Sequence, residues 1–314
     1  MSKVSVQLLS WNGAEHLPAL LASLAGQTFA DFELLVLDNG SHDGSAELVA
    51  EAAKSFPRPL RLSRSDENVG FAAGHDRLFA MSDSPYALCL NQDAELAPLY
   101  IEKLAAFLDA HPEAGAASGK LLRSAGSGVI DSAGLRLRAT GAVADIGAGE
   151  QDHGQYDGLR EVFGVSGAAA LYRRSAAAAS SPDGGLFDSS FFAYKEDVDL
   201  AWRERLMGFK AYVVSGAVAY HGRSMGARRK RSAWRERLSV KNHLLTLAKN
   251  LPRSERHRLF AIVPYELAKA FYLLVRMPSC LGAYAEAWRQ LPNALEKRKV
   301  IQSRAIARVS GWFS

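Results

Sequence analysis

Acidic and amide side chains follow three apolar segments in the first third of the chain. These residues are Asp38 in Asp38-Asn39-Gly40-Ser41, Asn68 shortly before Gly70, and Asp93 in Asn91-Gln92-Asp93. Each is also a common turn former, because Asp and Asn side chains bond to nearby backbone. A hard divalent cation that holds a diphosphate, however, needs oxygen ligands on a fixed turn. The recurrence of these residues predicts a ligand site, and Asp93 is a candidate ligand for such a cation.

A second group of carboxylates opens a predicted helix after the apolar run Phe191–Tyr194. The group consists of Glu196, Asp197 and Asp199. Acidic residues in a first helical turn stabilise the helix by capping and through its dipole, which explains one or two of them. A general base must lie near the hydroxyl group that it deprotonates, and neighbouring residues must hold it in place. Glu196 and Asp197 are therefore the candidate catalytic residues.

His221 ends a predicted strand and is followed by a dense basic cluster. A single His is most often structural, but a neutral imidazole can also bind a metal ion. The cluster includes Arg223, Arg228, Arg229, Lys230 and Arg231. It is either a solvated basic face or a contact for a diphosphate or an anionic lipid. Aromatic residues are sparse around it, which argues against a nucleic-acid partner.

The scaffold for these residues is predicted from the alternation of apolar and helical patterns. The predicted strands are Val4–Leu9, Phe32–Leu37, Leu60–Ser63, Tyr86–Leu90, Phe163–Arg173 and Ala211–Tyr220. The first four alternate with helical segments, which argues for a parallel doubly wound sheet. Such sheets bind ligands at the carboxyl ends of their strands. Leu251–Val275 and Leu281–Trp312 are predicted to form amphipathic helices.

Composition limits the location and the class of the protein. The chain has 314 residues and only two cysteines, which exclude a disulfide framework and favour a reducing, cytoplasmic location. The most apolar long stretch, Leu259–Val275, contains Pro264, Glu266 and Lys269, so no transmembrane helix is expected. Residues 1–221 carry a net charge of −10 and residues 222–314 carry +15. This asymmetry suggests that the basic part has a separate role.

The ordered motifs resemble those of the family-2 glycosyltransferases of the GT-A fold, and most closely the bacterial rhamnosyltransferase-like branch. The resemblance covers roughly residues 3–250. It is carried by VSVQLLSWNG, LLVLDNGSHDGS, ENVGFAAGHD, LCLNQDAEL, VSGAAALYRR, FFAYKEDVDLAWRERLMGFKAYVV, AYHG and KNHLLTLAKN. It implies a mixed α/β sheet flanked by helices and binding of a nucleotide-diphospho-sugar.

The resemblance also implies roles for individual residues. Asp38 would bond the pyrimidine base, the loop of Ser10, Trp11 and Asn12 would line the same pocket, and Asn68 and Gly70 would border it. Asn91, Gln92 and Asp93 stand where the family has its DxD motif, with Asp93 binding Mg²⁺ or Mn²⁺. His221 would be the later metal ligand. Asp197 would be the base that deprotonates the acceptor in an inverting transfer, with Glu196 beside it.

Departures from the family pattern leave several readings open. Asn91 replaces the first Asp of DxD, and the QxxRW motif of processive synthases is absent, so addition of one sugar is expected. The preferred donor is dTDP-L-rhamnose, with a UDP-hexose as the alternative. A non-catalytic module that binds a nucleotide-sugar or a lipid is a further alternative. A dinucleotide-dependent oxidoreductase is disfavoured, because SWNGAE and not GxGxxG follows the first strand.

The predicted organisation has two parts. Residues 1–225 form the catalytic domain, with nucleotide-sugar binding in about 1–95 and acceptor binding in about 96–225. Residues 226–314 form a basic helical region that either packs on the domain or touches the inner face of the cell membrane. The expected acceptor is a glycan or polyprenyl-diphosphate-linked precursor. The oligomeric state is open, and a homodimer is one option.

Overall fold

A computed structural model of the protein describes residues 1–222 and 232–313. The strands are β1 (Val4–Ser10), β2 (Phe32–Asn39), β3 (Leu60–Ser65), β4 (Tyr86–Asn91), β5 (Ala94–Leu96), β6 (Ala114–Leu122), β7 (Ile130–Ser132), β8 (Leu135–Leu137), β9 (Val143–Asp145), β10 (Leu159–Val162), β11 (Ala169–Arg173) and β12 (Lys210–His221). The helices are α1 (Leu17–Ala25), α2 (Ser45–Ala53), α3 (Phe71–Ala80), α4 (Tyr100–Ala110), α5 (Arg174–Ser180), α6 (Glu196–Leu206), α7 (Ala233–Asn250), α8 (Leu259–Arg276) and α9 (Gly282–Arg304).

One large mixed sheet organises the chain. Its strand order is β10-β12-β6-β11-β4-β1-β2-β3, with β5 paired to β12 and β7 paired to β6. Strand β1 is parallel to both β2 and β4, and β2 is parallel to β3. The sequence predicts this parallel arrangement for the first four strands. The residues of β1, β2 and β4 are mostly buried, because helices cover both faces of such a sheet, whereas the edge strand β3 has no fully buried residue.

The second half of the sheet departs from a purely parallel arrangement. Strand β11 is antiparallel to both β4 and β6, whereas β12 runs parallel to β6. The prediction of a single strand over Phe163–Arg173 is wrong, because an irregular stretch separates β10 from β11 and only Ala169–Arg173 is a strand. Two glycines in this stretch lie close to α6: a Cβ on Gly164 would come within 2.4 Å of Ala201, and one on Gly167 within 3.3 Å of Asp197. The break therefore brings backbone against the start of α6.

The C-terminal helices are fastened to the sheet domain through buried charges. Lys249, near the end of α7, is fully buried, with Nζ 2.5 Å from Asp188 and 2.9 Å from Asp199 of α6. The helix predicted from Leu251 begins only at Leu259, because a 3-10 segment, Arg253–Arg258, follows Pro252. In the part of the chain that the structure describes, no helix is both long and apolar enough to cross a membrane.

Candidate functional site

The carboxyl ends of β1, β2 and β4 meet at one edge of the sheet. Ser10 is in register with Asp38 of the neighbouring strand, and Leu9 is in register with Asn91 on the other side. Because the three strands are parallel and adjacent, the residues that follow them share one end of the sheet. The structure thus brings together the strand-end residues that the sequence predicts for the nucleotide and metal sites.

Two buried polar atoms lie at this edge of the sheet. Asp38 Oδ1 and Ser10 Oγ are buried and have no hydrogen-bond partner among the described residues. The other carboxylate oxygen of Asp38 accepts a long bond from the Ser41 backbone N–H at 3.4 Å. Buried polar groups in proteins are nearly always bonded, so an unpartnered pair at a sheet edge suits a ligand that supplies the missing donors and acceptors.

The loop after β1 is held in place by the residues that face it. The Gln92 amide accepts from Trp11 N at 2.8 Å and donates to Trp11 O at 3.1 Å. Asn12 has a positive φ of 49°; its N–H donates to Ser41 Oγ, and its Oδ1 accepts from His42 N. Gln92 therefore positions this loop, and the indole of Trp11 stays about half exposed.

Asn68 and Gly70 shape the loop between β3 and α3. The side-chain oxygen of Asn68 accepts from Asn39 Nδ2 at 3.0 Å and from Gly70 N at 2.9 Å. Gly70 has φ +88°, and a Cβ there would lie 2.6 Å from the ring of Phe192. These two residues are thus occupied in holding the loop against the segment that precedes α6.

Asp93 and His221 meet beside a third polar residue. His221 Nε2 lies 3.3 Å from Asp93 Oδ1 and 3.2 Å from Asn91 Nδ2. On the other side of the ring, Nδ1 lies 2.8 Å from the buried carboxylate of Asp131. A carboxylate behind a metal-binding His is a common outer-shell arrangement, because it fixes the ring and its tautomer. The sequence reasoning missed Asp131, which lies in a Gly- and Ser-rich stretch and carries no motif signal of its own.

The charge balance of this trio depends on its mutual contacts. Burial lowers the pKa of His221, but the hydrogen bonds to Asp131 and Asp93 outweigh it and raise the pKa to about 9. Burial opposes ionisation of Asp93, yet the contact with His221 lowers the pKa of Asp93 overall. The donors fit a small divalent ion held by one carboxylate and one imidazole, with a diphosphate supplying further oxygens. In the described part of the chain, no group of three or more His, Cys, Asp and Glu side chains is arranged to hold a metal ion.

The candidate base stands at the start of α6, on a strained turn. Phe192, Tyr194 and Lys195 all have positive φ, at 64°, 70° and 71°. Such conformations cost non-glycine residues on the order of 1 kcal/mol or more each and persist only where the surroundings enforce them. Asp197 Oδ2 accepts from the Gly167 backbone N–H at 3.1 Å, and Oδ1 accepts from Val198 N at 2.7 Å. The next residue after Gly167, Ala168, accepts from Asn91 N, which connects the segment that bonds Asp197 to the loop of Asn91 and Asp93.

Glu196 and Asp197 differ in their surroundings. Burial, together with the negative charge of Asp197, raises the pKa of Glu196 to about 8. Burial also raises the pKa of Asp197, but its two backbone N–H bonds oppose that shift. One carboxylate oxygen of Glu196 is buried without a partner among the described residues. The third acidic residue, Asp199, pairs with Arg203 at 2.9 Å and with Lys249, so it is structural.

Helix α7 reaches the strained turn through one amide. Nδ2 of the fully buried Asn242 lies 3.0 Å from Phe191 O, 2.9 Å from Ala193 O and 2.6 Å from Tyr194 O. Lys241, one residue earlier, donates to Ser190 O at 3.0 Å. The motif KNHLLTLAKN indicates the family resemblance but does not predict this contact. The contact joins residues about 50 positions apart in the chain. Arg223, Arg228, Arg229, Lys230 and Arg231 lie outside the described residues.

Comparisons with known proteins agree with this geometry. The family model "Glycosyl transferase family 2" matches residues 5–179. The N-acetylglucosaminyl-diphospho-decaprenol L-rhamnosyltransferase of Mycobacterium tuberculosis is 30% identical over 240 residues, covering 69% of this chain and 75% of that protein. The teichoic acid poly(glycerol phosphate) polymerase of Staphylococcus epidermidis is 32% identical over 107 residues, but the match spans 33% of this chain and only 15% of the polymerase.

A solved structure extends the similarity to the fold. The mannosyltransferase PcManGT of Pyrobaculum calidifontis, solved with GDP-Man and Mn²⁺, aligns with a TM-score of 0.59 at 20% identity, covering 93% of this chain and 76% of that one. The mixed sheet flanked by helices, followed by a helical C-terminal region, is the GT-A arrangement expected from the motifs. By its family model, its relative and its fold, the chain belongs to glycosyl transferase family 2.

Proposed function

We propose that the protein is an inverting, divalent-cation-dependent glycosyltransferase that moves one sugar from a nucleotide diphosphate to a hydroxyl of a lipid-linked or cell-surface glycan precursor. The observation that carries the proposal is the convergence of Asp93 and His221, 3.3 Å apart, with Asp197 joined to the same loop through Gly167–Ala168. These contacts support a cation position and a carboxylate base close to one another.

The nucleotide would occupy the edge at β1 and β2. The unpartnered Asp38 Oδ1 and Ser10 Oγ suit the ring N–H and carbonyl groups of a pyrimidine. The loop of Trp11 and Asn12 would line the base and ribose, with Trp11 offering an exposed aromatic face. Asn68 and Gly70 would border this pocket, because they fix the backbone of the loop between β3 and α3. The bonds that fix these loops without ligand support a preformed pocket.

Asp93 and His221 Nε2 would hold the cation, with Asn91 and Gln92 shaping the turn. When bound, Mg²⁺ or Mn²⁺ would neutralise charge that develops on the departing diphosphate. Since only two ligands converge among the described residues, most of the coordination shell would come from the donor and water. Metal affinity without nucleotide is therefore expected to be weak. The similar mannosyltransferase was solved with both a nucleotide-sugar and Mn²⁺.

Asp197 would act as the base, and Glu196 would act beside it in protonated form. The two backbone N–H groups that bond Asp197 favour its ionised state, whereas burial dominates at Glu196 and raises its pKa to about 8. Asp197 takes the acceptor hydroxyl proton as the acceptor oxygen bonds to the anomeric carbon. The bond from that carbon to the diphosphate oxygen breaks on the opposite face, so the configuration inverts and a nucleoside diphosphate leaves.

The donor that we favour is dTDP-L-rhamnose, with a UDP-hexose as the alternative. Support for rhamnose comes from the mycobacterial relative, whose name specifies an L-rhamnosyltransferase. That same name supports a polyprenyl-diphosphate-linked acceptor. The basic residues that follow His221 would contact the diphosphate or an anionic lipid; they are Arg223, Arg228, Arg229, Lys230 and Arg231.

A donor screen tests the function. The full chain is incubated with Mn²⁺ and dTDP-, UDP- or GDP-sugars, and both hydrolysis and the shift in melting temperature are measured. We expect one nucleotide class to stabilise the protein and its sugar to be released slowly, with His221→Ala abolishing the Mn²⁺ dependence. Stabilisation without hydrolysis or transfer to any lipid-diphosphate acceptor would instead support the non-catalytic module. No response to any nucleotide would reject the proposal.

A further inference from the structure

Helix α8 presents an apolar stripe to solvent along its full length. The stripe, here called the α8 outer face, consists of Phe260, Val263, Leu267, Phe271 and Leu274. The spacing of three or four residues aligns these side chains on one side of the helix. Phe260 is 88% exposed, Leu267 66% and Phe271 68%, and only Ile262 and Leu273 of this 18-residue helix are buried. A contiguous apolar surface of this kind marks an interaction site.

Apolar surface continues beneath and beside the stripe. A cavity of about 650 Å³ lies between α7, α8 and α9, and its lining includes Val263, Leu267, Leu259 and Leu295. The helix therefore does not pack tightly on the domain beneath it. On α9, Trp288 is 75% exposed. These features extend the apolar area beyond what a single helix stripe would offer.

Arginines flank the apolar stripe at both ends. Arg253 and Arg256 are exposed just before α8, and Arg276 is exposed at its last position. The side chain of Arg289 is exposed on α9. Basic residues beside an apolar helix face are typical of helices that lie in the interface of an anionic bilayer. The apolar side chains enter the acyl boundary while the guanidinium groups stay among the phosphates.

We infer that the α8 outer face docks the protein on an anionic membrane surface, with α8 lying parallel to the bilayer. A symmetric contact with a second copy fits less well, because it would bring the same arginines of both copies together. The docking goes beyond the glycosyl transfer proposed above and does not depend on the donor. It would bring α7, which holds the turn before Asp197, close to lipid-linked molecules.

Vesicle co-sedimentation of the full chain without nucleotide tests the inference. We expect binding to phosphatidylglycerol-containing vesicles that weakens as salt is raised, and little binding to pure phosphatidylcholine. The triple variant Phe260→Ser, Leu267→Ser, Phe271→Ser should bind at least about a thousandfold less tightly, since each of the three lost apolar contacts is worth at least about 1.5 kcal/mol. The pair Arg253→Gln, Arg276→Gln should lose on the order of thirtyfold, at about 1 kcal/mol per arginine.

A matched control removes apolar side chains elsewhere. Leu48, Leu99 and Leu159 are exposed leucines of the sheet domain. The triple Leu→Ser variant at these positions should bind vesicles like the wild type. Equal loss in both triple variants, or no binding by the wild type at physiological salt, would overturn the inference.

Hydrogen exchange on the wild type gives a test that needs no variant. Residues of α8 should gain protection on anionic vesicles, and α2 and α4 should not. Sedimentation velocity without lipid tests whether the α8 outer face is instead a contact between two copies of the chain. A wild-type dimer that the α8 variant abolishes, with no vesicle binding, would identify the face as a protein interface and reject membrane docking. Because donor turnover is not measured, these results are separable from failure of the proposed function.

Discussion

The buried carboxylate of Asp131 lies 2.8 Å from Nδ1 of His221, which leaves Nε2 of the same ring facing Asp93. This relationship orients one of the two proposed metal ligands from a position 90 residues away in the chain. It also makes Asp131 a positioning residue, because it would act through His221 and not on the substrate. Its contribution should therefore appear in metal dependence.

Asp131→Asn should weaken activation by Mn²⁺. Outer-shell partners of metal-binding histidines are worth about 10- to 100-fold in metal affinity or activity. We expect the Mn²⁺ concentration for half-maximal donor hydrolysis to rise by about that factor. Glu113→Gln is the matched control, since Glu113 lies 3.1 Å from Nδ1 of the more exposed His111. An unchanged Mn²⁺ titration in Asp131→Asn would contradict the positioning role.

Asp197→Asn should abolish transfer and spare donor binding. Loss of a general base costs about 10²- to 10⁴-fold in rate. Glu196→Gln should cost less, because it mimics the protonated state that burial favours. Donor affinity, measured by calorimetry with Mn²⁺, should stay within about threefold of the wild type for both variants. Near-normal transfer by Asp197→Asn would reject the assignment.

The rate of transfer should depend on pH through the same residue. Burial raises the pKa of Asp197 above that of an ordinary Asp, and the base works only when it is ionised. The rate constant kcat should therefore fall as pH is lowered through the mildly acidic range, where an ordinary Asp would still be charged. The measurement is kcat between about pH 5 and 8, with thermal denaturation at each pH as the control for folding. A flat profile would contradict this ionisation.

Asn242→Asp should loosen the strained turn before α6. The change keeps the side-chain shape but removes the N–H donors that face three backbone carbonyls. The three carbonyl groups would lose their hydrogen-bond donor and a carboxylate charge would be buried. Together these changes should lower the free energy of unfolding by about 3 kcal/mol or more. We also expect kcat to fall more than KM rises, with faster hydrogen exchange in residues 191–195. Asn293→Asp, on the exposed side of α9, is the control.

Asp188→Asn should destabilise the junction between the domain and its C-terminal helices. Asp188 pairs with Lys249 at 2.5 Å and with Lys297 at 2.7 Å. Removing one partner of a buried ion pair costs about 3–5 kcal/mol, measurable by urea unfolding. Asp183→Asn, which alters a more exposed partner of Lys297, should cost far less.

The same junction should be acid-sensitive. Burial opposes ionisation of Asp188, but the two lysines hold its pKa well below the ordinary value of 3.8. A carboxyl whose folded-state pKa is lowered stabilises the fold above its unfolded pKa and loses that contribution as pH falls. The difference in stability between the wild type and Asp188→Asn should therefore be constant near neutrality and shrink below about pH 4. A difference that grows on acidification would contradict the ion-pair account.

Local sequence patterns are sufficient to predict the parallel half of the sheet and the residues at the strand ends. Buried strands such as β1 and β4 are continuous apolar runs, and the polar residues that end them are adjacent in sequence to those runs. Local periodicity thus placed Asp38 and Asp93 at one edge. The helix over α6 and its acidic start were also local features, and the family motifs supplied their roles.

The residues that join the site from distant parts of the chain depend on how the elements pack. Asp131 meets His221, and Asn242 meets the turn at Phe191–Tyr194, across separations that no local pattern encodes. Likewise, the break between β10 and β11 follows from the close approach of Gly164 to α6. Periodicity reports which face of an element is apolar, whereas the partner of a buried polar group depends on how the elements pack. The exposure of the α8 outer face is a result of that packing as well.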